Sequence, residues 1–211
     1  MKQMNMENKI AAFDNYDIFQ ADINSLYEIS EFTVRQNYDH HQKFYDKRKM
    51  ENDVMSVYSE ERYLYDSDSR IYIARNRKHE ILGCIRSFHW NRRKVLPMEK
   101  VFHVNPLTSI HQELRYNYWH VGRFAVDSFR SLSTIVLFKR LMALAVRPII
   151  EDEYSYMIAE IDSRLLRIMN ELGFKTNRMG KSVFYLTSET VPVFSNKEGL
   201  RGFYSKYGNL C

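Results

Sequence analysis

The sequence predicts an α/β (α+β) fold, a single domain in which helices pack on a mixed sheet. Three observations predict it. The chain has 211 residues, 45% of them apolar, which suits one generous core and falls short of two. Its apolar residues recur with a strand period in some stretches and a helix period in others, in the order helix, hairpin, strand, helix, strand, helix, strand. Its four prolines and seven glycines are scattered, with no repeat, linker or low-complexity run to divide the chain.

The elements follow from the N-terminus. Residues 25–39, SLYEISEFTVRQNYD, open on Ser25 as a cap and place Leu26, Ile29, Phe32 and Val34 near helical spacing. Residues 41–65 are polar and tyrosine-rich and are read as partly helical. RIYIARN (70–76) and EILGCIRSF (80–88) are two strands joined by a turn at 77–79. Residues 91–115, with Pro97 and Pro106, form an irregular excursion with one short helix. YWHVGRFAVD (118–127) is a third strand. IVLFKRLMALAV (135–146) is apolar on nearly every side, the mark of a helix buried by a sheet. YSYMIAEI (154–161) is a strand. In DSRLLRIMNELGF (162–174), Asp162 or Ser163 caps a helix with Leu165, Leu166, Met169 and Leu172 as its inner stripe, and Gly173 ends it. KSVFYLTSE (181–189) is a strand, and residues 196–210 form a short helix.

Charge and cysteine content bound the function. The net charge of +5 favours an acidic or phosphate-bearing partner. Its 31 basic and 26 acidic residues are interspersed, unlike the one-sided face of a nucleic-acid binder, so no nucleic-acid partner is expected. With two cysteines, Cys84 in an apolar run and Cys211 at the end, a disulfide framework is not expected, and the cytoplasm is the expected compartment. The first residues, MKQMNMENKIAAF, do not read as a secretory signal, and no run reaches the roughly 18 apolar residues of a membrane span. The histidines have no metal-ligand spacing and no supporting cysteine pair, so no metal is expected.

The strand at 118–127 holds the residues that need explaining. Alternation puts Tyr118, His120, Gly122, Phe124 and Val126 on one face and Trp119, Val121, Arg123 and Ala125 on the other. Gly122 weakens a strand interior unless something approaches closely or the strand bulges, and a bulge lets His120 and Arg123 face one cleft. The plainer reading is a core histidine with a hydrogen-bond partner and an arginine in a structural salt bridge. Seven turn-like residues then lead to a helix starting near Ser133 or Thr134, whose free N–H groups suit a phosphate, with Arg130 as a charged contact. Glu60, Glu61, Asp66 and Asp68 form an acidic cluster, either a solvated face or an attractor for an ammonium group.

Strand, arginine-containing loop, buried helix, strand and capped helix ending in LGF resemble the second half of the GNAT acyltransferase fold. WHVGRFAVDSFRS resembles the W-E-x-S-R-F-x-V-D segment of the autoinducer (acyl-homoserine-lactone) synthases and related N-acyl amino acid synthases. DSRLLRIMNELGFK, YDSDSRIYIAR and ILGCIRSF are similar to further segments of those enzymes, and the matches span roughly residues 60–190. The resemblance implies a mixed, mostly antiparallel sheet flanked by helices, with a middle strand splayed to admit the donor's pantetheine. It divides the chain into an N-terminal lid and helices at about 1–65, a core at about 66–190 and a tail at about 191–211.

The resemblance also implies an N-acyltransferase moving an acyl group from a thioester, acyl-CoA or acyl carrier protein, to a small amine such as an amino acid, with no permanently bound cofactor. Asp66, Arg86 and Arg123 fall on family positions that line the cleft, with Asp66 and Arg86 assigned to the acceptor. The family's glutamate is His120 here, and imidazole also takes a proton near neutral pH, so His120 is the candidate base beside Arg123. Backbone N–H groups from Val121 through Gly122 to Phe124 are expected at the oxyanion, and Arg130, Ser133 and Thr134 at the donor's phosphate. Ser133 and Ile135 replace the glycines of the acetyltransferase loop R-x-x-G-x-G, which tilts the donor toward acyl carrier protein. Two alternatives stay open: an ordinary acetyl-CoA-dependent N-acetyltransferase, and a non-catalytic binding module of the same fold.

Overall fold

Residues 70–89 build the centre of the sheet. Strands β3 (Arg70–Asn76) and β4 (Ile81–His89) pair antiparallel, with Ile71, Ile73, Cys84 and Ile85 buried between helices. His79 in the joining turn has φ +62°, and Asn76 Oδ1 accepts from the Lys78 and Glu80 amides. The computed structural model describes residues 7–41, 46–127 and 134–211. Among these, nine strands form one sheet in the order β1-β2-β3-β4-β5-β6-β9-β7, with β8 also paired to β9. The remaining strands are β1 (Asn8–Ala12), β2 (Tyr16–Ala21), β5 (Asn117–Val126), β6 (Ser155–Asp162), β7 (Asn177–Arg178), β8 (Val183–Tyr185) and β9 (Ser188–Asn196). Every pairing among the described residues is antiparallel except β5 with β6. The mixed, mostly antiparallel sheet is therefore the one the sequence leads one to expect.

Helices cover both faces. On one, α5 (Thr134–Glu151) lies across β3 to β6 and against α7 (Lys197–Tyr207), burying Leu141, Ala145, Met157 and Val193 in the largest core. On the other, α1 (Leu26–His41) packs on β4 and β5, and α2 (Lys47–Leu64) packs on α1. Two short helices, α3 (Pro97–Phe102) and α4 (Pro106–Ser109), fill the excursion where one was expected, each with proline in its first turn. The helix α6 (Ser163–Glu171) starts on Asp162, whose Oδ1 accepts from the Arg164 and Leu165 amides, and Gly173 follows it at φ +103°. No described helix is long and apolar enough to cross a membrane.

Three expectations change. Residues 8–21 form two strands of the sheet, so the N-terminal part is not helical throughout. The strand expected at 181–189 is a hairpin, β8 turning through Leu186 and Thr187 into β9. β9 pairs with β6 from Thr190 to Asn196, so the sheet extends past residue 190 into the expected tail. Pro192 hid this strand: it offers no N–H, but its carbonyl accepts from the Met179 amide.

Candidate active site

The site begins with a defect in β5. Phe88 pairs with His120 and Arg86 with Gly122, but the next pair is Cys84 with Ala125. Arg123 and Phe124 together oppose Ile85 alone, which is a β-bulge. Arg123 carries it at φ +53°, a left-handed conformation costing about 1 kcal/mol or more in a non-glycine residue. The bulge breaks the alternation. Arg123 turns to the face of His120 and reaches α2, whereas Phe124 packs edge-on to Phe138 of α5. Gly122 supplies the room, because a Cβ there would lie 3.1 Å from Arg86 Nη2.

The pairing of β5 with β6 ends just ahead of the bulge. The two strands pair in parallel from Asn117–Ser155 to His120–Ile158, and no later pair joins them among the described residues. β5 nevertheless stays paired to β4 as far as Val126, and β6 to β9 as far as Asp162. A wedge thus opens in the sheet just beyond His120. A cavity of about 120 Å3 enters it, lined by Arg86, His120, Arg123 and Glu160 toward α1 and α2, and by Met142 and Met157 toward α5. A wider cavity of about 550 Å3 adjoins it at Phe124 and Leu165 and extends to Thr134, with apolar residues such as Phe138 and Ile168 and polar ones such as Gln36 and Arg164 in its wall.

A chain of charged groups crosses the inner cavity. Glu61 of α2 is 2% exposed and receives Arg86 Nε (2.8 Å) and Nη2 (3.0 Å) and Arg123 Nε (2.7 Å). Arg123 Nη2 donates to Glu60. Arg86 Nη1 donates to His120 Nδ1 (2.8 Å) and to the His120 carbonyl (3.1 Å). A guanidinium has no acceptor, so Nδ1 accepts and the ring proton sits on Nε2, which donates to Glu160 Oε2 at 2.8 Å. The second oxygen, Glu160 Oε1, is buried and has no hydrogen-bond partner among the described residues.

Electrostatics fixes the charge states. Burial pushes the Glu61 carboxyl up, but Arg86 and Arg123 together outweigh it and hold it at about 2. Burial likewise raises Glu160, and the His120 contact with the fields of Arg123 and Arg86 carries it below the usual carboxylate value. Burial disfavours the Arg123 charge, yet Glu61 and Glu60 raise its affinity for the proton. Cys84 sits beneath the bulge, its thiol donating to the Arg123 carbonyl at 3.3 Å, and burial pushes it up to about 12.

Of the residues singled out from sequence, His120, Val121, Gly122, Arg123, Phe124 and Arg86 all line the inner cavity, and Thr134 lines the outer one. Arg130 and Ser133 lie outside the described residues. Asp66 is not brought in: it accepts from the Asp68 amide in a turn, pairs with Lys94 at 3.5 Å and lines neither cavity. Both ring nitrogens of His120 are engaged, so a substrate proton meets no vacant position on the expected base. The acidic pair Glu60–Glu61 faces inward rather than forming a solvated face. Glu160 was not singled out. Its signal was one carboxylate inside an otherwise apolar strand, YSYMIAEI.

This mostly antiparallel sheet, wedged open between two parallel neighbours, is similar in fold to solved structures of GNAT-family proteins, acyl-homoserine lactone synthases and an N-acyl amino acid synthase. No protein-family model and no curated protein matches the chain. Solved structures do. The chain is similar to FeeM, an N-acyl amino acid synthase from uncultured soil microbes, with a TM-score of 0.63 and 14% identity over 96% of this chain and 98% of that one. It is similar to BjaI, a CoA-dependent acyl-homoserine lactone synthase solved with SAM and isopentyl-CoA, with a TM-score of 0.53 and 13% identity over 97% and 90%. An acetyltransferase of the GNAT family from Staphylococcus aureus Mu50 gives a TM-score of 0.52 and 14% identity over 86% and 99%.

Proposed function

We propose that this chain is an N-acyltransferase that moves an acyl group from a phosphopantetheine thioester to an amine, with Glu160 receiving the amine's proton. The observation that carries this reading is the wedge beyond His120 with Glu160, a carboxylate whose Oε1 has no hydrogen-bond partner among the described residues, lining its cavity. Beyond the last β5–β6 pair, backbone amides of β5 that a neighbouring strand would satisfy are left to a ligand, and the two amides of pantetheine match such an edge. Coenzyme A and acyl carrier protein present the same arm. A cytoplasmic setting supplies both.

The chemistry runs through this chain's own groups. The amine, bound as ammonium, first releases a proton to solvent; the neutral amine then attacks the thioester carbonyl, forming the C–N bond and placing negative charge on the oxygen. Amides of the bulged segment from Val121 to Phe124, whose residues line the cavity, are assigned as donors for that oxyanion. The attacking nitrogen becomes positive and acidic, and the Glu160 carboxylate takes its proton. Collapse of the intermediate breaks the C–S bond, and the proton passes to the departing thiolate. His120 holds the carboxylate through Oε2 and is a positioning residue, itself fixed by Arg86. Arg86 and Arg123 brace this wall and dock α2 through Glu60 and Glu61.

The test is thiol release and amide formation, followed by mass spectrometry, with acyl-CoA and acyl-carrier-protein thioesters against mixed amines. Glu160→Gln is expected to lower kcat/KM by about a hundredfold or more, the scale of a positioned proton acceptor. His120→Gln keeps an N–H near the Nε2 position and is expected to retain more activity than His120→Ala. Undiminished turnover in folded Glu160→Gln contradicts the reading.

A further inference from the structure

We propose that the acceptor is an amine that carries no carboxylate, which sets this site apart from one built for a free amino acid. The inference rests on the acyl-transfer reading and comes from the charges in the cavity wall. The positive side chains lining the inner cavity are Arg86 and Arg123. Neither has charge to spare. Arg86 spends Nε and Nη2 on Glu61 and Nη1 on His120, and Arg123 spends Nε on Glu61 and Nη2 on Glu60. Two guanidinium groups are thus matched by two carboxylates, all four charges held within a wall where Glu61 is 2% exposed and Arg123 9%. His120 adds no positive charge while Nδ1 accepts from Arg86.

The surplus is negative. Glu160 lines the cavity and is 10% exposed, its Oε2 is taken by His120, and its Oε1 has no hydrogen-bond partner among the described residues. A buried carboxylate oxygen left unpaired is costly, and a primary ammonium satisfies it with charge and N–H together. A carboxylate on the same small molecule would enter the inner cavity beside Glu160 and find Arg86 and Arg123, its guanidinium groups among the described residues, already paired. The cavity therefore attracts the amine end and repels an acid end, among the described residues that line it. An amino acid meets both effects, whereas its decarboxylated counterpart meets only the first.

Matched pairs isolate the carboxylate. Binding of phenethylamine against phenylalanine, and of isopentylamine against leucine, is measured by calorimetry on the full chain, and acylation of the same four compounds is followed with hexanoyl-CoA as donor. Each amine is expected to bind at least about tenfold more tightly than its amino acid, with the amine's advantage lost in Glu160→Gln. Glu60→Gln, which strips one partner from Arg123, is expected to shift the ratio toward the amino acid. Amino acids bound or acylated as well as their amines, or no binding of any of the four, overturns the inference. Amine-selective binding with no amide formed from any thioester keeps the acceptor site and overturns acyl transfer instead.

Discussion

Glu61 occupies a position that helix geometry assigns to a hydrophobic residue. Met50, Val54, Val57, Glu61 and Leu64 recur at intervals of four and three along α2, and all five are buried. The carboxylate is there because Arg86 and Arg123 converge on it from two strands. Removing one partner of such a buried pair leaves the others charged and unmatched, so Glu61→Ala is expected to cost about 3–5 kcal/mol, read from denaturant unfolding. Its pH dependence has a defined sign. The folded value of about 2 lies below the ordinary 4.5, so Glu61 stabilises the fold above pH 4.5, and that contribution drains away as pH falls toward 2. Glu61→Gln is expected to flatten the loss across this window, and an unchanged acid profile contradicts the assignment. At this scale His120, Gly122 and Arg123 were legible because each is out of place in a strand. Glu61 was legible only through the stripe, and the neighbouring acidic residues disguised it as solvated surface. Glu160 was hidden because one carboxylate in a strand has no pattern, and its meaning comes from His120 on the neighbouring strand.

At the scale of elements, the bulge in β5 explains the most. A strict two-residue period puts Arg123 opposite His120, but one extra residue brings the two together just beyond the last β5–β6 pair. Gly122 marked the place. The hairpin at Leu186 and Thr187 left no such mark, for both residues adopt positive φ (44° and 73°) without the asparagine or glycine that usually signals it. Leu186 packs on the Val34–Tyr38–Val54 cluster between α1 and α2, a tertiary contact that overrides local preference. Another close contact joins α6 to α7. A Cβ on Gly202 would lie 2.7 Å from the Gly173 carbonyl, itself fixed by φ +103°. Because backbone cannot yield as a side chain can, Gly202→Ala is expected to destabilise the protein by roughly 1–3 kcal/mol, seen as a lowered Tm. A neutral effect contradicts this docking.

For the molecule as a whole, the alternation of strands and helices from residue 70 to 174 was readable because those elements bury one face and keep their own period. The outer sheet was not. NKIAAFDNYDIFQA has little alternation, and its strands depend on partners distant in sequence: β2 pairs with β3, and Asp17 is held by Lys9 (2.7 Å) and Arg77 (3.2 Å). β9, carrying a proline, becomes a strand by pairing along β6. The sheet is thus continuous from β1 to β5 and again from β6 to β9, and its one parallel junction is where it parts. That parting is the central claim, and a crystal structure with a non-hydrolysable acyl-CoA, its sulfur linkage replaced by methylene, tests it most directly. The account predicts the pantetheine arm in the wedge, its amides bonded to β5 between Val121 and Val126 and its acyl carbonyl within reach of the bulge and Glu160. A β5–β6 ladder paired through to Asp162, or an analogue bound away from the wedge, would contradict it.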